Sequence, residues 1–177
     1  MKLGTKSILY GVHAFWWHPL TVYLAWRELY GAPNWKECVC IFIHDLGYFG
    51  KENMDGPEGE DHPRWAARWA LHHLDKEHSF HYRDLCIYHS RTTAAKHGVE
   101  PSKLCWADKL SCHYDPWWFY LARALLTGEI KEYRQDAAKL GDVPLSYSHY
   151  KWFQWACTRQ MKKAYERDAR PAYTPGS

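Results

Sequence analysis

Apolar residues recur at spacings of three and four throughout the chain, and no segment alternates strictly between apolar and polar residues as a half-buried strand would. This period predicts an all-α protein. The predicted helices cover about 5–15, from His18 to a stop at Gly31 and Pro33, 35–45, 62–77, 79–89, 90–97, 101–114, 116–127, 129–139 and 147–169, with breaks at Gly98, Pro116, Gly128 and Gly141.

Local signals mark some of the helix ends. Pro19 falls in the first turn of the second helix, where its missing N–H is harmless. Asn34, with Glu37 three positions later, predicts a capping box at the start of the third. Residues 46–61, LGYFGKENMDGPEGED, hold four glycines and a proline and predict a long irregular loop, of the kind that is often functional.

A length of 177 residues suits one compact domain. We expect it to span residues 1–170, with residues 171–177 as a flexible tail. The 46% hydrophobic and 24% charged residues are typical of a soluble globular protein, but 11 Trp and 13 Tyr exceed ordinary usage. Most of these rings are expected to fill a helical core, and some to line a pocket.

The charge distribution, the cysteine content and the N-terminal segment limit the binding partners and the cellular compartment that we expect. The net charge of +3 is dispersed, so we do not expect nucleic-acid binding. Six cysteines without a CxxC pair predict buried thiols in a reducing compartment. The apolar N-terminal stretch SILYGVHAFWWHPLTVYLAW contains two histidines and a proline, which predicts neither a secretory signal nor a membrane span. A cytoplasmic protein is therefore expected.

Histidines and aspartates end or interrupt several of the apolar runs. His18 heads a stripe of apolar residues at spacings of four, three and four on the second helix, so it faces the core. The run IFIHDLG ends in His44 and Asp45. His89 ends the run CIYHSR in the same way, and Asp108 lies inside LCWADKLSC, in apolar company.

His62 and His73 share a helix face but cannot serve one metal, because eleven residues of helix span about 16 Å. His62 is preferred, since it begins the helix beside the loop that leaves Asp45. We assign His73 to packing or to solvent.

Together these side chains form a candidate metal site on separate helices. A buried carboxylate needs a partner, and a metal ion also explains the inward-facing imidazoles. Four imidazoles and two carboxylates suffice for two ions if Asp45 bridges them, and they suit Mn, Fe, Co, Ni or Zn. The candidate ligands are His18, His44, Asp45, His62, His89 and Asp108.

The order of these residues resembles the HD-domain superfamily of metal-dependent phosphohydrolases, whose motif runs His, His-Asp, often two further His, then Asp. The matching segments span about residues 18 to 111 and are HPLTVYLA, IFIHDLG, EDHPRWAARWAL, IYHSR and WADKLS. The chain lacks the downstream GYP of the cyclic dinucleotide phosphodiesterases. It also lacks the Glu shortly after His-Asp that marks a mononuclear nucleotidase branch.

The resemblance implies an HD-type helical bundle with a binuclear metal centre in its middle. One metal would be held by His18, His44, Asp45 and Asp108. The second would be held by Asp45, His62 and His89. The resemblance also implies hydrolysis of a phosphoester by a metal-activated water.

Cationic side chains near the ligands are candidates for binding the phosphoryl group. Lys109 and Arg91 are the first choices for a catalytic role beside Asp45, with Arg64 and Lys96 behind them as substrate-binding residues. Tyr48 is a candidate aromatic wall. The loop 46–61 is rich in acidic residues and would repel a polyphosphate, which favours a small, modestly charged phosphorylated substrate.

Two other interpretations remain open. The ligand pattern is similar to that of the HD-fold mixed-valent diiron oxygenases, which hold two irons with four His and two Asp. A third interpretation is a non-enzymatic metal-binding regulatory module. Its aromatic segments PWWFYLARALL and YKWFQWACTRQ would then serve as a surface for a homodimer or another partner.

Overall fold

The computed structural model describes residues 1–54, 56–76, 79–139 and 143–168. Within these ranges the chain is helical without a β-strand, which confirms the all-α prediction. The α-helices, named α1 to α11 in chain order, are Leu3–Tyr10, His18–Tyr30, Trp35–Ile43, Gly56–Glu60, Pro63–His73, His81–Ile87, Arg91–Lys96, Lys103–Leu110, Trp117–Thr127, Glu129–Lys139 and His149–Asp168. Two 3-10 turns, Leu46–Tyr48 and Ser111–Tyr114, follow α3 and α8.

The start of α3 has the hydrogen bonds that the sequence predicts. The Asn34 side chain accepts from the backbone N–H groups of Lys36 and Glu37 at 2.9 and 3.0 Å. The Glu37 carboxylate accepts in return from the Asn34 backbone N–H at 2.7 Å. This reciprocal pair satisfies donors that would otherwise be left without partners at a helix start.

The first helix is shorter than predicted, because α1 ends at Tyr10 instead of near residue 15. A Cβ atom on Gly11 would lie 2.2 Å from the Glu129 Oε2 atom, so the chain needs glycine where it meets α10. The residues that follow form turns instead of helix. These turns place the His13 ring 5.3 Å from the His18 ring.

The prediction of an irregular loop over 46–61 is wrong in part. This segment begins with the 3-10 turn Leu46–Tyr48 and ends with the short helix α4. One of its glycines serves close packing instead of flexibility, since a Cβ atom on Gly59 would lie 2.2 Å from the Met54 carbonyl oxygen. The segment is therefore a compact cover beside the His-Asp pair.

Two hydrophobic clusters hold the helices together. The larger one lies among α2, α3, α5, α6 and α8, and its buried side chains include Trp26, Ile41 and Leu104. The smaller one joins α9, α10 and α11 around Trp152. Met161 of α11 packs against both clusters, which ties the C-terminal helix to the rest of the fold.

Two of the sequence-based expectations fall on residues outside the described ranges. These are the flexible tail at 171–177 and the break at Gly141. A single domain over residues 1–170 stays a prediction. Among the residues that are described, no helix is both long enough and apolar enough to cross a membrane.

Candidate metal centre

The four candidate histidines all sit at or next to a helix end. His18 is the first residue of α2, and His44 follows the last residue of α3. His62 immediately precedes α5, and His89 lies just beyond α6. All four are at most 6% exposed. The apolar faces of these helices pack into the larger cluster, and that packing draws the helix ends together.

A first group of potential ligands forms around one oxygen of Asp45. The Nε2 atoms of His18 and His44 each lie 3.2 Å from Asp45 Oδ2. The His18 Nε2 atom also lies 3.2 Å from Asp108 Oδ1. One ligand atom from each of these four residues lies within 4.8 Å of the others, a spacing that suits a single ion.

A second group forms around the other oxygen of the same carboxylate. The Nε2 atoms of His62 and His89 lie 3.5 and 3.4 Å from Asp45 Oδ1, and 2.8 Å from each other. These three residues form a second set that could hold an ion. Asp45 therefore belongs to both groups, one oxygen to each, as the sequence-based bridging hypothesis requires.

Backbone carbonyls orient three of the imidazoles. The Nδ1 atoms of His44, His62 and His89 lie 2.7, 2.7 and 2.6 Å from the carbonyl oxygen of the residue three positions earlier. A carbonyl only accepts, so each Nδ1 carries a proton, and in the neutral ring the lone pair then lies on Nε2. This arrangement fixes the ring and the tautomer that a metal ligand needs.

The residues fit a bound cation. The buried atoms His18 Nε2, His44 Nε2 and Asp45 Oδ2 have no hydrogen-bond partner, although they lie close together. The His62 and His89 lone pairs face each other at 2.8 Å. Metal–ligand bonds of about 2.0–2.1 Å place neighbouring ligand atoms roughly 2.9–3.4 Å apart, close to the spacings observed. One cation in each group would satisfy these atoms.

The protonation states of the two carboxylates suit metal binding. Burial alone would raise the pKa of Asp45, but the imidazoles of His44 and His13 hold that pKa well below its ordinary value. Burial acts on Asp108 in the same way, and the Lys109 ammonium outweighs it and holds the Asp108 pKa well below its ordinary value. Both groups are therefore ionised at neutral pH, as ligands must be.

The pKa values of His62 and His18 are shifted in opposite directions. Burial, reinforced by the neighbouring His89, lowers the pKa of His62 well below its ordinary value, so His62 is neutral at neutral pH. Burial would also lower the pKa of His18, but Asp108 and Asp45 outweigh it and raise that pKa to about 9. A cation that binds the first group must displace this proton.

Two cavities open from the ligand cluster, and both are lined by Asp108. The smaller has a volume of about 230 Å³ and contains Asp45, His62 and His89. The larger has a volume of about 490 Å³, within the range of small-molecule sites, and extends to Trp155 of α11. The C-terminal helix, which lies outside the segments that resemble the HD family, thus forms one wall of the site.

The structure brings three of the other predicted site residues to these cavities. Lys109 and Arg91 line both of them. The Lys109 ammonium lies 2.7 Å from Asp108 Oδ2, so the two oxygens of Asp108 face a cation and His18 respectively. Tyr48 also lines both cavities.

The Tyr48 ring does more than line the cavities. It stacks on the His62 imidazole, with a distance of 3.8 Å between the ring centroids. The stacking adds to the hydrogen bond at Nδ1 in fixing the ring of this ligand.

Arg64 and Lys96 lie farther out. The Arg64 side chain is 70% exposed and pairs with Asp61 at 2.9 Å, and it is not among the residues that line either cavity. Lys96 is also mostly exposed and pairs at 2.6 Å with Glu60, which lines the smaller cavity. His73 is exposed, packs against Trp69 and belongs to neither group of potential ligands.

One further residue of the site, His13, carried no signal in the sequence. His13 lines both cavities, and its Nε2 atom lies 3.9 Å from Asp45 Oδ2, but it belongs to neither ligand group. Its Nδ1 atom lies 3.0 Å from Ser7 Oγ and 3.5 Å from Glu129 Oε1. Glu129 is fully buried and also accepts from the backbone N–H of Val12 at 3.0 Å.

This arrangement joins the start of α10 to the turn that carries His13. Glu129 and Val12 are 117 positions apart in the chain. An acidic residue at a helix start is also an ordinary N-terminal cap, so the sequence offers no signal that separates the two roles.

Comparison of the chain with protein-family models, with curated proteins and with solved structures found no match. The description of the site therefore rests on its own side chains. They form a buried group of His and Asp residues that could bind metal ions.

Proposed function

We propose that the chain is a metal-dependent phosphohydrolase that cleaves a phosphoester of a small phosphorylated substrate. The observation that carries the proposal is the Asp45 carboxylate, whose two oxygens face two separate sets of histidine Nε2 atoms. A shared carboxylate between two metals is the arrangement that two-metal hydrolysis uses.

Each group of side chains would hold one divalent ion. Asp45 would belong to both, and bound ions supply Lewis acidity and lower the pKa of a coordinated water toward neutrality. The metal-binding residues would be His18, His44, Asp45 and Asp108 for one ion and Asp45, His62 and His89 for the other. A donor set of imidazole and carboxylate suits Mn, Fe, Co, Ni or Zn.

The remaining side chains of the cavity bind and position the substrate. Lys109 and Arg91 face the cavities as cations beside the ligand cluster, where they attract phosphoryl oxygens and stabilise the charge that develops on them. His13, held by Ser7 and Glu129, presents its Nε2 atom to the same space and can form a hydrogen bond with a substrate oxygen.

The alternative with the same ligand set is a diiron oxygenase acting on a small molecule. Lys109 and Arg91, the two cationic residues that line both cavities, favour the hydrolase, because an anionic phosphoryl group needs them and the oxidation of a neutral carbon does not. The acidic residues of the segment 46–61 act less against a phosphate than the sequence alone implies. Glu52 pairs with Lys2 at 2.9 Å and Glu60 with Lys96 at 2.6 Å.

The test combines metal analysis with an activity assay. Protein purified without added metal is analysed for bound ions, and phosphate release from a panel of phosphoesters is then measured anaerobically with Mn²⁺ or Co²⁺. We expect Asp45→Ala to lose both ions and the activity, because it removes the shared ligand. The matched control His73→Ala removes an exposed imidazole and should keep both.

Each contrary result has a distinct meaning. Full metal content in Asp45→Ala would refute the bridging role. Iron content with substrate-dependent O₂ uptake would identify the oxygenase instead. A metal-loaded protein that is inert in both assays would support the regulatory module.

A further inference from the structure

Two cysteines from distant parts of the chain meet in the wall of the larger cavity. Cys112 lies in the 3-10 turn after α8, and Cys157 lies on α11, 45 positions later. Their Sγ atoms lie 2.7 Å apart. Both thiols are free, and both residues line the cavity. A molecule that enters the cavity can therefore reach the pair.

We propose that Cys112 and Cys157 are a dithiol modification site, which small-molecule disulfides such as oxidised glutathione convert to an internal disulfide. This inference is independent of the hydrolase proposal, since it uses neither the metal ligands nor the cationic side chains. It concerns a part of the chain that the predicted metal motif does not include.

The reaction balances as two successive exchanges. The thiolate of one cysteine attacks a sulfur of the oxidant, forms a mixed disulfide and releases one thiol of the oxidant. The thiolate of the second cysteine then displaces the other half. In total, two S–H bonds of the protein break and one S–S bond forms. The oxidant takes up the two electrons and becomes two thiols, with two protons supplied by the protein thiols.

The surroundings of the two sulfurs differ. The hydrogen bond with Cys112 lowers the pKa of Cys157, although burial opposes it. Cys112 is the more exposed of the two residues, since it is half-buried whereas Cys157 is buried. Either thiol can therefore begin the exchange as the thiolate, and the other then resolves the mixed disulfide.

The geometry needs little change for the bond to form. A disulfide S–S bond is about 2.05 Å long, so the sulfurs need to approach by less than an ångström. The Cys112 Sγ atom is also held 3.3 Å from the Lys109 carbonyl oxygen, which keeps its side chain turned toward this region.

A second thiol pair in the same protein provides an internal control. Cys40 and Cys86 are hydrogen-bonded to each other, but both are fully buried in the larger hydrophobic cluster. Oxidants have no path to them in the folded state. A difference between the two pairs therefore separates a site in the cavity wall from general exposure of thiols by unfolding.

The disulfide would join α11 to the turn that follows Asp108 and Lys109. It would close a loop of 45 positions and restrict the unfolded chain, so the oxidised protein should melt at a higher temperature. It would also fix one wall of the larger cavity.

The experiment treats the intact protein, as purified, with oxidised glutathione, alkylates the remaining thiols and maps the peptides by mass spectrometry. We expect a Cys112–Cys157 crosslink, reversed by dithiothreitol, a raised Tm and no crosslink between Cys40 and Cys86. Cys112→Ser should stop at a glutathione adduct on Cys157. The control Cys38→Ser, at a thiol outside the cavity, should crosslink as the wild type does.

Two results would overturn the proposal. One is a wild-type protein in which Cys112 and Cys157 are still free after treatment with the oxidant and are therefore fully alkylated. This measurement uses the wild type alone, so it does not depend on whether a variant folds. The other is equal oxidation of Cys40 and Cys86, which would show that crosslinking follows unfolding. Neither result depends on phosphoesterase activity, so failure here leaves the hydrolase proposal standing.

Discussion

Gly47, two residues after Asp45, is packed against the backbone of the potential ligand His62. A Cβ atom at this position would lie 2.0 Å from the His62 carbonyl oxygen and 2.8 Å from its carbonyl carbon. Real Cβ contacts are essentially never shorter than 3.0 Å. Gly47→Ala must therefore move the turn Leu46–Tyr48 and the residue before α5 apart by about 1 Å or more, because neither backbone can yield by rotating a side chain.

That displacement exceeds what a metal site tolerates. Metal–ligand distances hold to within about 0.2 Å, and His62 belongs only to the second ligand group. We expect Gly47→Ala to lose the ion held by Asp45, His62 and His89. The ion held by the other group should remain, so the metal content falls from two ions toward one per chain.

The control variant must lose about as much stability as Gly47→Ala does without disturbing either ligand group. Overpacking costs roughly 1–3 kcal/mol, which for a chain of this length lowers Tm by about 2–12 °C. Gly31→Ala should cost a similar amount for another reason: Gly31 has a φ of 79° and open space around it, so an added Cβ strains only its own backbone. Gly31 lies at the far end of α2 from His18, and this variant should keep both ions.

The measurement is metal content by mass spectrometry alongside Tm by circular dichroism, on protein saturated with Mn²⁺ and then desalted. A folded Gly47→Ala protein with the wild-type metal content would refute the reasoning. Equal metal loss in Gly31→Ala would show that any destabilisation empties the site. A wild-type protein without metal would refute the metal centre itself.

Two further predictions concern charged groups near the cavities. Lys109→Met should lower kcat/KM for phosphoester hydrolysis by roughly 100-fold, because it removes one electrostatic contact to the transition state. Lys103→Met, on the same helix, should leave kcat/KM unchanged. Equal kinetics in the two variants would contradict a role of Lys109 in stabilising the transition state. Glu129→Gln should lose less stability in acid than the wild type does. Burial raises the pKa of Glu129, but His13 outweighs burial and lowers that pKa below its ordinary value of 4.5. The ionised Glu129 carboxylate therefore stabilises the wild type above about pH 4.5, and this stabilisation is lost as the pH falls further. Urea unfolding at several pH values checks this, and parallel curves for variant and wild type would disprove it.

The sequence determined the helices and the identity of the potential ligands. Helix periodicity is a local property, and the capping box at Asn34 is made by neighbours in the chain, so both could be predicted from residue spacing. The six potential ligands also carried a local signal. His18 heads an apolar stripe and Asp45 ends an apolar run, and such positions direct polar side chains toward a core.

The sequence predicted the role of some glycines incorrectly. Glycine-rich sequence over 46–61 predicted an irregular loop, but Gly47 and Gly59 are used where two backbones approach closely. A glycine that permits flexibility and one that permits contact look alike in a sequence, because the partner that requires the contact lies elsewhere in the chain.

Only the tertiary structure decided which side chains act together. The two oxygens of Asp45 face separate histidine pairs, His13 reaches the cavities through its contact with Glu129, and Cys157 meets Cys112. Arg64, which the sequence offered as a substrate-binding cation behind Lys109 and Arg91, lies at the surface instead. The physical reason is that a residue's spacing fixes its face on its own helix. The packing of whole helices against one another sets the distance between residues far apart in the chain.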